Sequence, residues 1–203
     1  MTDPFAHDRF VLHQRIRLVV NQYEFSVPGP DDDGEPFCFV EQKRFKFKED
    51  IRFFGDESKS TELLRIKARK RFDPAATYDI TADGAVVGTI RKAFGASVLR
   101  STFVLTDGRT GAEVTAQERS LGVALLRRVI GFVPFIGGVA DWLPIPFDFE
   151  FLAADGRRLG ENRRRRWKLR DVYELDFTAD PERELDRRLA VAAAVGMDAL
   201  MAR

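Results

Sequence analysis

The chain has 203 residues, is 44% hydrophobic with 18 Phe, and carries 33 Lys+Arg against 32 Asp+Glu, a net charge of +1. That balance excludes bulk attraction to nucleic acid or to an anionic surface, so any such contact must be local and no nucleic-acid partner is expected. The single cysteine, Cys38, excludes an internal disulfide, and Met1 to Asp8 lacks the basic and apolar regions of a secretory signal, so a cytoplasmic location is the expectation.

Residues 1–14 read as a loosely held N-terminal segment. Ile16 to Val27 is rich in β-branched and aromatic residues and is broken by Pro28, Gly29, Pro30, the acidic run Asp31 to Asp33, and Gly34. Phe37 to Phe47 reads as a strand with Phe37, Phe39, Phe45 and Phe47 on one face and Gln42 and Arg44 on the other. Leu64, Ile66 and Ala68 alternate with Arg65, Lys67 and Arg69, the pattern of a strand at a solvent boundary.

A hairpin is then written twice. Tyr78 to Thr81 leads through Asp83-Gly84 into Ala85 to Arg91 with Gly88, and Ile145 to Phe151 leads through Asp155-Gly156 into Arg157 to Trp167 with Gly160. Asp-Gly predicts a two-residue turn, because both central residues must accept positive φ. A third hairpin, Val98 to Thr106 with Glu113 to Arg119, surrounds Asp107-Gly108, and residues 121–144 form a helical crossover. Val129 to Ala140 is interrupted by Gly131, Pro134, Gly137 and Gly138 and falls short of the ~20 residues a membrane span needs.

Tyr173, Leu175 and Phe177 give a last strand, and a helix is predicted over 181–203, with Asp180 as N-cap, Pro181 at its first position and Glu182 and Glu184 in its first turn. Leu189 to Met197 carries no charge on any face. A helix that is apolar all round has to be buried. No Ser-, Gly- or Pro-rich linker divides the chain. The expected architecture is therefore mainly β: one domain over 1–203, a closed antiparallel barrel of hairpins wrapped around the C-terminal helix.

Two blocks carry a family resemblance. The first is Ile66-Lys67-Ala68-Arg69, Tyr78-Asp79-Ile80, Asp83-Gly84, Gly88 and Ile90-Arg91-Lys92; the second is Phe147-Asp148-Phe149, Asp155-Gly156, Gly160, Arg163 and Trp167, followed by Asp171, Tyr173 and the closing helix. Together they resemble the Tubby C-terminal superfamily, which includes the phospholipid scramblases and the LURP-one-related proteins, over roughly residues 37–203. The resemblance implies a barrel around a central helix and, through the tubby proteins, phosphoinositide binding. The calcium-binding segment of the scramblases has no counterpart here, and the tubby lipid-binding residues do not align onto this chain.

Residues able to carry catalysis are sparse. His7 and His13 lack Cys, Asp or Glu at metal-ligand spacing, and neither a Gly-x-Ser-x-Gly elbow nor a phosphate-binding Gly-x-x-x-x-Gly-Lys-Ser/Thr loop is present. Cys38, in a Phe-rich strand, reads as a core residue. Asp31, Asp32, Asp33 and Glu35 lack the alternating spacing of an EF-hand loop. No enzyme activity, metal or cofactor is expected.

The sharpest charge feature is Arg163-Arg164-Arg165-Arg166 with Lys168, extended by Arg157, Arg158 and Arg170. Alternate residues of a strand face opposite sides, so Arg163 and Arg165 share one face, from which two guanidinium groups can grip a phosphate. Lys43, Arg44, Lys46, Arg65, Lys67 and Arg69 extend this patch if their strands are neighbours. Pairing of the run with Glu150, Glu174 and Asp176 is the plainer reading. Phe132, Phe135 and Trp142, with Arg127 and Arg128, form a second candidate, a shallow membrane-docking element or a crossover packed on a barrel end. The expected function is a non-enzymatic module for acidic phospholipid headgroups or other phosphate-bearing ligands, peripheral to the inner face of the membrane. Scramblase-like lipid movement and a protein-interaction scaffold are the alternatives.

Overall fold

The computed structural model describes residues 3–16, 20–29, 34–43, 50–69, 77–93, 100–119, 148–165 and 171–201. The strands are β1 (Arg9–Ile16), β2 (Val20–Val27), β3 (Glu35–Lys43), β4 (Asp50–Phe54), β5 (Glu62–Ala68) and β6 (Thr77–Ala82). They continue as β7 (Ala85–Lys92), β8 (Thr102–Asp107), β9 (Glu113–Glu118), β10 (Phe149–Leu152), β11 (Arg158–Arg164) and β12 (Asp171–Asp176), and the chain ends in helix α1 (Arg187–Met201). Each strand pairs antiparallel with the next, and β12 returns to β1, closing the barrel. Closure leaves no free edge for another strand to add to.

Inward residues of every wall, among them Phe10, Phe25, Phe53, Ile66, Ile80, Phe103, Phe151 and Leu175, are buried, and α1 fills the space they enclose. From Leu189 to Met197 the helix is buried all round. Its small residues set the fit: a Cβ on Gly196 would stand 3.2 Å from Ile66 Cδ1. The barrel around an apolar helix is thus what the sequence predicts, each large buried side chain contributing about 1.5–3 kcal/mol.

The N-terminal segment departs from expectation. It is not a loose end: Arg9–Ile16 is the strand that closes the barrel, pairing with β2 on one side and with β12, from Arg9↔Asp176 to Gln14↔Asp171, on the other. Its partner lies at the far end of the chain, where local pattern has no access to it. The single run Ile16 to Val27 is really the end of β1 and the whole of β2, and β4 is a strand that the alternation does not predict.

Two local devices reset side-chain directions. A bulge in the β2–β3 pairing takes Phe25↔Cys38 to Ser26↔Pro36, leaving Phe37 as the extra residue. Cys38 and Val40 therefore point into the core with Gln42, whose Oε1 lies 3.5 Å from the Tyr23 hydroxyl, while Phe39 lies on the outer face, buried beneath Lys59 Nζ, which is 5.9 Å from its ring centroid. The expected face sharing of Phe37 and Phe39 fails for this reason; Arg44, Phe45 and Phe47 lie outside the described residues.

The repeated hairpins share a bulge and differ in their turns. Gly88 faces Ile80 just before the register shifts, and Gly160 faces Phe151 in the same way. Asp83 (φ 49°) and Gly84 (φ 78°) form the expected two-residue turn. In the second hairpin only Gly156 (φ 84°) is left-handed, and Ala153 N–H donates to Arg157 O across a three-residue loop. At Asp107-Gly108 the left-handed residue is Gly111 (φ 73°), further along a loop that Asp107 Oδ1 holds by accepting from Arg109 and Thr110 N–H at 2.8 Å each.

The helix begins at Arg187, not at 181. Asp180 does act as a cap, accepting from Glu184 N–H (2.9 Å) and Leu185 N–H (3.1 Å), but it caps a turn in which Arg183 is left-handed (φ 54°). The same carboxylate accepts from Arg187 Nη1 at 2.8 Å, both side chains being wholly buried. The Arg187 guanidinium also donates to Asp8 Oδ1 and to the carbonyls of Phe177, Asp180 and Leu185, and lies 5.0 Å from the Phe177 ring centroid. One side chain thus joins the N-terminal segment, the end of β12 and the start of α1.

Candidate functional site

The predicted arginines sit on the β11 wall and are matched by carboxylates. Arg163, on the outer face, is 3.7 Å from Glu161, and Arg165 is 3.4 Å from Glu174. Arg164 ends β11, its backbone N–H donating to Asp148 Oδ1 at 2.9 Å. Glu161 also accepts from Arg119 and Arg158, each at 3.2 Å, so three guanidiniums share one carboxylate. The reason lies across the ladder: Glu161 faces Glu150 in register, and like charges directly opposite repel unless cations gather round them. Arg166 and Lys168, the docking candidates Phe132, Phe135 and Trp142, the 121–144 crossover and Asp31 to Asp33 lie outside the described residues.

The second basic group does not extend this patch. Arg65, Lys67 and Arg69 belong to the β5 wall, and in the closed order β5 and β11 stand six strands apart in either direction. The two groups occupy opposite sides of the barrel. They act independently, since charges are screened over about 8 Å at physiological salt.

On the β5 side the outer surface forms an open groove of about 760 Å³ lined by Arg65, Lys67, Arg69, Asp79, Asp83 and Val86, among others. Lys67 faces Asp50 of β4 on one side and Asp79 of β6 on the other. Both carboxylates are drawn away from it along the diagonals. Arg65 takes Asp50 in a two-point grip (2.7 and 2.6 Å), and Arg69 takes Asp79 at 2.8 and 2.7 Å. Arg52 serves Asp50 at 3.5 Å and Glu62 at 3.8 Å. Arg65 matches both Asp50 oxygens at once and Arg69 brings two N–H groups to Asp79 Oδ1, fork contacts that a point-like ammonium does not make. Among the described residues no ion pair or hydrogen bond reaches the Lys67 side chain, which leaves it an exposed ammonium in a concave surface between two fixed arginines.

The alternation of Arg65, Lys67 and Arg69 is legible in the sequence as an outward face. Their partners are not, because Asp50 lies on a strand that local pattern does not reveal and the choice between register and diagonal pairing is made in three dimensions.

The hydrogen bond from Arg65 is the main reason the Asp50 carboxyl is held below the ordinary carboxylate range. At Asp186 burial, the largest influence, opposes ionisation, but hydrogen bonds from the Arg188 side chain and backbone outweigh it and its pKa is lowered too. Both groups ionise in the folded protein at lower pH than in the unfolded chain. Their contribution is complete above the unfolded value, roughly pH 4, and is lost as pH falls through the lower folded values. Urea midpoints measured against pH are expected to drop below about pH 4, and to drop less steeply in Asp50→Asn with Asp186→Asn. A midpoint that rises on acidification contradicts this.

Inside the barrel a small pocket of about 20 Å³, enough for one water, is lined by Tyr23, Asn162, Tyr173 and Asp198. Tyr23 donates to Asp198 at 2.5 Å, and burial, reinforced by that carboxylate, raises the phenol well above its ordinary pKa. Burial likewise raises the Cys38 thiol strongly, so it stays protonated and is a poor nucleophile. His13 lies in β1, His7 is exposed, and no group of three or more His, Cys, Asp or Glu able to hold a metal occurs among the described residues. Nor is any helix among them long and apolar enough to cross a membrane.

A family model described as LURP-one-related matches residues 38–198. No curated protein and no solved structure matches the chain.

Proposed function

The chain belongs to the LURP-one-related family, within the Tubby C-terminal-like superfamily, and from that premise we propose that it is a non-enzymatic binding module. Its ligand is phosphate-bearing, an acidic phospholipid headgroup at a membrane surface, and its contact is the β5 groove. The observation that carries this reading is the exposed Lys67 ammonium, flanked by Arg65 and Arg69 whose orientations their own carboxylates already fix. Arginines held in place lose little freedom when they lend remaining N–H groups to an anion. The β11 arginines are weaker candidates because Glu161 and Glu174 occupy them.

Lipid movement by extraction of α1 is disfavoured: its apolar residues fill the barrel, and Arg187 is tied at its first residue by a buried ion pair.

Flotation with vesicles of phosphatidylcholine and phosphatidylserine in equal parts tests the proposal. A basic side chain near an anionic surface contributes about 1 kcal/mol, so Lys67→Ala is expected to weaken binding about fivefold and Lys67→Glu considerably more. Arg163→Ala with Arg165→Ala is expected to change it less than about twofold, since that pair stands on the opposite side of the barrel from the β5 groove. Binding lost in the arginine pair and kept in Lys67→Glu would move the site to the β11 wall, and no binding by the wild type would refute the proposal.

A further inference from the structure

Resting on that reading, we propose that the ligand of the β5 groove is an aminophosphate, with its phosphate on Lys67 and Arg65 and its ammonium on Asp83. The charges of the groove cancel almost completely in pairs: Arg65 with Asp50, Arg69 with Asp79, Glu62 with Arg52. Two of its lining groups are left over. Among the described residues, the side chains of Lys67 and Asp83 have no hydrogen bond or ion pair, and they are of opposite sign. A ligand bearing only negative charge would gain Lys67 and be repelled by Asp83, whereas one bearing both signs meets a partner at each.

The geometry is consistent with such a ligand. Arg65 faces Thr81 and Lys67 faces Asp79, so Asp83 lies two residues beyond the level of Arg65 and four beyond that of Lys67. At about 3.3 Å per residue this is about 7 and 13 Å along the strand; the long Lys67 side chain, with no partner among the described residues, can swing to close part of that span, while Asp50 holds Arg65 on the β4 side. The mouth is open at that end, for a Cβ on Gly84 would meet nothing within 4 Å. The carboxylate is not required by the turn itself. Asn-Gly satisfies the same two positive-φ positions as Asp-Gly, so Asp83→Asn removes the charge and keeps the hairpin.

The experiment compares vesicles of phosphatidylcholine mixed equally with phosphatidylserine or with phosphatidylglycerol. Each anionic lipid carries one net negative charge, and only the first has an ammonium group. Calorimetry with soluble glycerophosphoserine forms a parallel arm. The wild type is expected to prefer phosphatidylserine by up to about fivefold, the range of a partly exposed ion pair, and Asp83→Asn to abolish that preference. Lys67→Glu is expected to weaken both. Binding of glycerophosphoserine without vesicle binding, lost in Asp83→Asn, would support the same chemistry from a soluble source. Equal binding of the two vesicles by the wild type, or a preference that survives Asp83→Asn, would overturn the aminophosphate assignment and leave the phosphate reading standing. Absence of binding in both arms would overturn both.

Discussion

Asp180→Ala is expected to lower the free energy of unfolding by about 3–5 kcal/mol, the cost of leaving a buried charge without its partner. Asp180 and Arg187 have no side-chain exposure at all, so water cannot take over the lost contact. The variant also removes the acceptor of the Glu184 and Leu185 N–H groups, which would have to find others. Asp8, the other carboxylate on Arg187, is 42% exposed and compensates only in part. Replacing both partners, Asp180→Ala with Arg187→Met, is expected to destabilise less than Asp180→Ala alone, because the desolvated ion then disappears with its counterion. Urea unfolding followed by circular dichroism at neutral pH measures all three proteins. A loss below about 1 kcal/mol in Asp180→Ala, the size of an ordinary surface pair, would show that this cluster does not hold α1 in its barrel.

Gly160→Ala is expected to cost about 3 kcal/mol, the upper end of what overpacking a well-filled core does. Its Cβ would lie 2.2 Å from Phe177 Cδ1 and 2.7 Å from the carbonyl oxygen of Asp176. The ring could shift, but the carbonyl belongs to the β12 backbone, where Asp176 faces Glu161 across the ladder. Phe177→Leu in the same chain is therefore expected to restore only part of the loss. Gly88→Ala follows the same logic against Thr106 O at 2.6 Å and Leu189 Cδ2 at 3.0 Å, so it presses on the helix as well as the wall. Gly55→Ala is the control: the nearest atom to its Cβ would be 4.0 Å away, and a change within about 0.5 kcal/mol is expected. Equal midpoints for Gly160→Ala and Gly55→Ala would mean that the repeated glycines are turn-associated without being packing sites.

Gly88 and Gly160 stand out in the sequence because each follows an Asp-Gly turn at similar spacing, and a glycine within a strand is itself a sign of close backbone packing. Which atoms they touch is decided by the fold. The apolar run from Leu189 to Met197 requires burial on every side, and alternating aromatics require hairpins; a barrel around a helix satisfies both, because hydrophobic periodicity is a property of neighbouring residues. Strand β1 escapes that pattern because its worth lies in Phe10, Leu12 and a partner strand at the other end of the chain. The face of Phe39 is inverted by one extra residue at Phe37. The helix starts later than its cap signals suggest, because Asp180 and Pro181 mark a turn whose carboxylate serves an arginine that local propensity cannot see.

The candidate site divides along the same line. Composition and alternation place basic residues on outer faces of strands, since a charged side chain stays out of the core unless it is paired there. Whether such a residue is spent on a carboxylate or left open depends on register, on diagonal reach and on the position of a strand around the closed ring. Those are relations between distant segments, and they alone separate the compensated arginines of β11 from Lys67, whose two flanking aspartates have been claimed by Arg65 and Arg69.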